Sequence, residues 1–299
     1  MNVRVLITGA GGFVGTYLRA ALAASPGATI IPSSADVTDA DAIRSMITAA
    51  KPDIVVHLAG IASVPQAREA PDAAFAVNLG GSLTVARAIL AAAPSCLMIH
   101  IGSAECYGAS FRAGLPLDEG APLAPLNVYA ATKAAADLAL GAMAAESRLR
   151  LVRFRPFNHT GPGQSDAFVL PAFAAQIAAI TAGRQPPVIR VGNLDAARDF
   201  LDVRDVVRAY TAAIARHADL PANAIFNLAS GTPRRIGDIL ATMIAVSGRD
   251  ITIEIDPARL RPVDIPLAVG NAEAARRILG WQPEIPFEET LRTLLTPPH

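Results

Sequence analysis

Short apolar runs alternate with Ala-rich stretches of helical period through the first half of the chain. Continuous runs of β-branched residues and Leu, stopped by turn residues, read as strands buried on both faces. They fall at residues 3–7, 29–31, 54–58, 96–101 and 151–154. Between them, apolar positions recur at helical spacing in segments that begin near Phe13, Ala40, Ala73 and Tyr129. This alternation predicts an α/β fold, a doubly wound parallel sheet with right-handed crossovers. Ligands of such sheets gather at the carboxyl ends of the strands.

Past Phe154 the pattern breaks at Pro156, Gly161, Pro162, Gly163, Pro171, Pro186 and Pro187, which predicts an irregular, substrate-facing layer. A helix from Asp205 to about Arg216 and a strand at 225–228 return to the first sheet. The tail from Ile236 holds a helix, a strand at 252–255 and a turn at Trp281-Gln282-Pro283. Two domains interleaved in sequence follow. Residues 1–158 with about 200–230 form the parallel-sheet domain, and about 159–199 with 231–299 form a smaller α/β domain at the C-terminal side.

Composition narrows the function. Of 299 residues, 52% are hydrophobic and 17% charged, a balance that buries a large core. Twenty-six basic residues cancel 26 acidic ones, so no overall field draws in nucleic acid or an acidic membrane. Neither partner is expected. Cys96 and Cys106 make no disulfide framework, which suits a reducing, cytoplasmic setting. No run of about 18 apolar residues, as a membrane helix requires, is expected. The histidines His57, His100, His159, His217 and His299 are scattered, and no metal site is expected.

The chemistry starts at the first turn. Gly9, Gly12 and Gly15 follow the first strand directly and open the first helix with Phe13 and Val14. Glycine leaves room for a diphosphate to approach main-chain N–H groups at the positive end of a helix. With a strand before and a helix after, this turn meets the condition for a dinucleotide site. An acidic residue that binds the adenosine ribose ordinarily ends the second strand, about 20 residues on. Here that stretch reads Ile30-Ile31-Pro32-Ser33-Ser34, with no carboxylate and no arginine. Nothing at Ser33 or Ser34 opposes a 2′-phosphate, which favours NADP(H) while leaving NAD(H) open; Asp36 and Val37 are placed to meet the adenine edge.

Tyr129 and Lys133 stand four residues apart at the start of a helix, on one face. An adjacent ammonium favours the phenolate, so Lys133 is expected to acidify Tyr129. Ser103, at the carboxyl end of the fourth strand, is placed to hold a substrate oxygen beside that phenol.

In this order, the glycine turn, Ser103, Tyr129 and Lys133 resemble the extended short-chain dehydrogenase/reductase family of nucleotide-sugar epimerases and dehydratases. The resemblance spans the chain and includes His57-Leu58-Ala59-Gly60, Asn78, residues 102–108 and residues 127–133. It implies a Rossmann fold with Ser103, Tyr129 and Lys133 as the catalytic triad. Lys133 would also hold the nicotinamide ribose, while Leu58, Ala59, Gly60, Asn78, Pro156 and Phe157 would line the cofactor. Family members commonly form homodimers through a four-helix bundle, and the Ala-rich stretches 73–92 and 130–145 suit that role.

Residues 155–164, 191–200 and 260–266 look like the GDP-4-keto-6-deoxy-D-mannose reductases of that family, which form GDP-rhamnose. The resemblance implies an NAD(P)H-dependent oxidoreductase acting on a GDP-sugar. It assigns Asn158 to the diphosphate-sugar, Arg198 and Arg261 to the diphosphate, Val191 and Asn193 to the nucleobase surroundings, and Gln164, Val169 and Asp264 to the same site. An arginine fork suits phosphate oxygens; surface ion pairs are the alternative for Arg198 and Arg261. Glu105 stands where family 4,6-dehydratases keep a proton-abstracting glutamate, but Ala104 before it offers no group to help expel the C6 oxygen. Glu105 is expected either in catalysis or in bonding the sugar or its neighbouring loop. A 4-epimerase or 4,6-dehydratase, or a dinucleotide-binding regulator without catalysis, stands as the alternative to C4-ketone reduction.

Overall fold

A computed structural model describes residues 2–25, 27–260 and 265–296. Six strands build the central sheet: β1 (Val3–Thr8), β2 (Ala28–Ser33), β3 (Ile54–His57), β4 (Leu97–Ile101), β5 (Arg150–Pro156) and, after three strands of the smaller layer, β9 (Ala224–Leu228). Their order is β2-β1-β3-β4-β5-β9, every pair parallel. The doubly wound α/β fold read from the alternation is the fold observed.

Period two along each strand explains why both faces are covered. Val5 and Ile7 of β1 join one core with Ile54, Val56, Ile99, Val152 and Phe154. Leu6, Val55, Met98 and Leu151 point the opposite way into a second core. Helices α1 (Phe13–Ala23) and α8 (Val203–Ala215) pack on the first face; α2 (Ala40–Ala50), α5 (Ser82–Ala92) and α6 (Val128–Glu146) cover the second. Burying one Leu, Ile or Val side chain contributes about 1.5–3 kcal/mol, so these two cores carry the fold.

The helical run at Ala73 differs from its expected form. It comprises α3 (Val64–Glu69), α4 (Pro71–Phe75), a π-turn at Ala76–Gly81 and then α5. Pro71–Ala92 is also long and apolar enough to cross a membrane, which corrects the expectation that no segment would be. Alanine and glycine supply that apolarity, while Asn78 and Ser82 within the run are buried and hydrogen-bonded to the rest of the molecule.

The smaller layer is more regular than its prolines and glycines suggest. It contains β6 (Asn158–Thr160), α7 (Val169–Thr181), β7 (Val188–Val191), β8 (Ala197–Asp202), β10 (Pro233–Arg235), α9 (Ile236–Ser247), β11 (Thr252–Ile255) and β12 (Leu267–Ala268). Helices α10 (Glu273–Leu279) and α11 (Phe287–Leu295) close the chain. Pro171 sits in the first turn of α7, where its missing N–H costs no helical bond, so it does not break the helix. Strand β8 pairs with β6, β10 and β12, and β7 pairs with β11. A third core, with Leu170, Phe173, Ile189, Val191, Phe200 and Leu240, holds this layer together.

Candidate active site

Thr8 ends β1 and the glycine turn follows. Gly9 has φ +69°, and a Cβ there would lie 2.7 Å from the Ala59 nitrogen. A Cβ on Gly15 would lie 2.5 Å from the Gly9 carbonyl oxygen, so helix and strand meet only if both residues are glycine. Gly12 caps α1 in extended conformation with no side-chain bond, and the first turn, opened by Phe13 and Val14, has no acidic residue. N–H groups at a helix start that lack a side-chain acceptor are a ready anion site. The cradle fits a dinucleotide diphosphate.

At the end of β2, Ser33 accepts the Ala35 N–H at 3.1 Å. Asp36 accepts the Thr38 N–H and hydroxyl at 2.9 and 2.8 Å, which hold its carboxyl below the usual range. Val37 is turned inward: its side chain is buried beneath Gly81, where a Cβ would stand 2.5 Å from Val37 Cγ2.

The loop after β3 is held by Asn78. Its Oδ1 accepts the Ile61 N–H at 2.8 Å, and its Nδ2 donates to the Ile61 carbonyl at 3.1 Å and to Thr132 Oγ1 at 2.9 Å. A Cβ on Gly60 would lie 2.9 Å from Asn78 Oδ1 and 3.4 Å from Lys133 Nζ. Leu58, Ala59 and Gly60, Asn78 and Lys133 are thus brought to one place.

Asn127 starts α6, its Oδ1 accepting the Ala130 N–H at 2.8 Å. Tyr129 and Lys133 then share one buried face. The Ser103 hydroxyl accepts the Glu105 N–H at 3.2 Å and borders the Tyr129 phenol, which it stabilises in the ionised form. The expectation that Lys133 acidifies Tyr129 is corrected here. Burial raises the phenol pKa, Cys106 and Glu105 add to the rise, and the Lys133 ammonium donates instead to the Ile101 carbonyl at 3.0 Å. Burial lowers the Lys133 pKa to about 8. Glu105 lies beside the same helix start, 3.5 Å from Asn127 Nδ2.

A buried ionic cluster behind Tyr129 and Lys133 was not foreseen. Asp137, one turn beyond Lys133, accepts Arg153 Nη1 at 2.7 Å and both Nε and Nη2 of Arg155 at 2.9 and 2.8 Å. Arg155 Nη1 also reaches the Tyr107 hydroxyl at 3.0 Å, and that hydroxyl donates to Asn227 Oδ1 at 2.7 Å. The signal was available: Arg153 and Arg155 continue the face of Leu151, which the strand period buries against α6.

Pro156 closes β5, and the Phe157 ring is buried against Tyr107 and Phe111, so it supports the site from within the core. Asn158 is exposed on β6, while His159 stacks on Phe13 with centroids 6.5 Å apart. Gln164 Nε2 bonds the His159 carbonyl at 3.1 Å. Val169 is 37% exposed at the start of α7, whereas Val191 is buried in the third core. Asn193 Oδ1 accepts the Asp195 N–H at 2.9 Å, and Arg198 Nη1 donates to the Ile265 carbonyl at 2.6 Å. Arg261 and Asp264 lie outside the described residues.

Fold and site together define an α/β protein of the dinucleotide-binding class, with Ser103, Tyr129 and Lys133 gathered at the carboxyl edge of the sheet. Residues 28–294 match the family model for GDP-mannose 4,6 dehydratase, and the chain belongs to that family. It is 35% identical to the GDP-6-deoxy-D-mannose reductase of Pseudomonas aeruginosa over 99% of this chain and 97% of that protein. It is 28% identical to GDP-mannose 4,6 dehydratase 2 of Arabidopsis thaliana, over 87% of this chain and 69% of that protein. The solved structure of RMD from Pseudomonas aeruginosa complexed with NADPH superposes with a TM-score of 0.90 at 33% identity, covering 98% of this chain and 97% of that one.

Proposed function

We propose that the protein is an NADPH-dependent reductase of the C4 ketone of GDP-4-keto-6-deoxy-D-mannose, forming GDP-D-rhamnose. The observation that carries this reading is the convergence of Ser103, Tyr129 and Lys133 beside the glycine cradle, in a chain similar end to end to a GDP-6-deoxy-D-mannose reductase. NADPH, when bound, supplies a hydride for the carbonyl carbon. Residues 8–15, 58–60, Asn78 and Lys133 would hold it, and the uncharged end of β2 at Ser33 suits a 2′-phosphate.

The residues of the chain do the rest. A phenol whose pKa is raised by burial carries its proton at neutral pH, so Tyr129 donates it to the ketone oxygen as charge develops there. Ser103 holds that oxygen and stabilises the phenolate left behind, while the Lys133 ammonium serves the nicotinamide ribose. Asn158, Gln164 and Arg198 of the smaller layer serve the diphosphate-sugar together with Arg261, and Glu105 with Asn127 orients the sugar. Two copies pair through the helices containing Phe75 and Leu138, which are 41% and 59% exposed.

The test follows NADPH oxidation by its near-ultraviolet absorbance with GDP-4-keto-6-deoxy-D-mannose. Wild type consumes cofactor and substrate in equal amounts, and Tyr129→Phe loses activity about 10²-fold or more. Equal activity of the two, or silence of the wild type, rejects the reading. Turnover without net NADPH loss indicates the epimerase or dehydratase alternative.

A further inference from the structure

His57 ends β3 with its ring buried and both ring nitrogens engaged. Nδ1 lies 2.8 Å from Thr8 Oγ1, and Nε2 lies 3.1 Å from Ser82 Oγ. The network assigns the tautomer. Ser82 has one hydroxyl proton and gives it to the Asn78 carbonyl at 2.6 Å, so its oxygen accepts from His57. The ring proton therefore sits on Nε2, and bare Nδ1 accepts the Thr8 hydroxyl. Thr8 Oγ1 in turn faces the Ala59 N–H at 3.4 Å. Every donor in this chain has one acceptor. Burial, with the Lys133 ammonium adding to it, lowers the His57 pKa to about 3, so the ring stays neutral.

Three segments of the cradle meet on this ring. Thr8 immediately precedes the glycine turn, Ala59 lies in the loop after β3, and Asn78 lies in the π-turn. Clearances among them are small, 2.7 Å from a Gly9 Cβ to the Ala59 nitrogen and 2.9 Å from a Gly60 Cβ to Asn78 Oδ1. A shift of a few tenths of an ångström in one segment is felt by the others. His100, the register partner of His57 on β4, has no hydrogen-bond partner at either nitrogen among the described residues and takes no part.

We propose that His57 is a positioning residue for the dinucleotide: held between Thr8 and Ser82, it keeps the glycine turn, the 58–60 loop and Asn78 in mutual register without touching the cofactor. This rests on the cofactor part of the proposed function and not on the identity of the sugar.

The experiment is titration of NADPH fluorescence with full-length protein, with melting temperature measured in parallel. His57→Phe fills the ring volume and removes both bonds; its dissociation constant is expected to rise about tenfold, or 1.4 kcal/mol. Thr8→Val and Ser82→Ala are each expected to weaken binding several-fold, and neither adds to the loss in a His57→Phe background. Losses that add in full overturn the proposal, as do folded variants with lower melting temperature and unchanged affinity. Should His57→Phe fail to fold, the Thr8→Val and Ser82→Ala pair decides: less than additive supports it, additive overturns it. A wild type that binds neither NADPH nor NADH overturns both this proposal and the cofactor assignment. With wild-type binding intact, lowered affinity in the variants supports the role of His57 even where no keto sugar is reduced.

Discussion

Asp137 stands one helical turn beyond Lys133, and Arg155 closes on it with two donors, Nε to Oδ2 at 2.9 Å and Nη2 to Oδ1 at 2.8 Å. The carboxylate is fully buried and both guanidiniums around it are nearly so. The pair ties the helix that carries Tyr129 and Lys133 to β5. Through Tyr107, Arg155 also ties it to the turn that carries Ser103 and Glu105. The two segments that carry Ser103 and Glu105, and Tyr129 and Lys133, are thus held by one buried polar cluster.

Asp137→Ala leaves Arg153 and Arg155 facing each other in the core without a counter-charge. Removing one partner of a buried ion pair costs roughly 3–5 kcal/mol. Urea denaturation is expected to show a loss of that size with an unchanged denaturant slope. A loss below about 1 kcal/mol, the size of a surface ion pair, refutes the structural role given to the cluster.

With Lys133 in its proposed place at the nicotinamide ribose, cofactor binding is expected to depend on pH. Burial lowers its folded pKa from 10.5 to about 8, so between those values the unfolded chain binds more protons than the folded one. Stability contributed by this group therefore rises with pH from about 8 to 10.5. Binding is expected to have the opposite sign, because the ammonium proposed to meet the nicotinamide ribose is lost as pH rises through about 8. NADPH affinity is expected to fall above that pH in the wild type and to stay flat in Lys133→Met. Parallel pH profiles for the two proteins contradict this.

The central sheet was legible because a strand buried on both faces leaves a continuous apolar run, and because the glycine turn at Gly9 marks where the first run stops. Helix α7 was hidden by Pro171, whose first-turn position makes it harmless. Site residues mapped by resemblance arrived as positions without side-chain directions. Val37, Phe157 and Val191 stand in the expected segments with side chains turned into cores. Four-residue spacing put Tyr129 and Lys133 on one face, yet spacing says nothing of desolvation, which dominates both pKa values. Asp137 with Arg153 and Arg155 was readable in principle, since charged residues on a buried strand face require a partner.

Ser33→Asp tests cofactor choice. No charge at the end of β2 opposes a 2′-phosphate, and the Ser33 hydroxyl accepts the Ala35 N–H. A carboxylate there is expected to weaken NADPH about tenfold by like-charge repulsion while leaving NADH unchanged or improved. Affinities for the two cofactors, measured by fluorescence titration, are the check. Equal weakening of both argues that residue 33 does not face the adenosine ribose.

Three alanine substitutions separate the parts of the cradle. Gly11 has open space around its Cβ position, so Gly11→Ala is expected to leave stability within about 0.5 kcal/mol of the wild type. Gly9 combines φ +69° with a Cβ site 2.7 Å from the Ala59 backbone, so Gly9→Ala pushes the turn against the 58–60 loop. A cost of about 1–3 kcal/mol in stability, with loss of NADPH binding, is expected. Gly12 lies between these cases: its φ of −73° suits alanine, and the nearest contact of its Cβ is the Gly9 carbonyl oxygen at 3.3 Å. Gly12→Ala should therefore fold normally and still bind NADPH poorly, because a methyl group at the helix cap keeps the diphosphate from the main-chain N–H groups. If Gly12→Ala binds NADPH as the wild type does, the diphosphate does not lie on the start of α1.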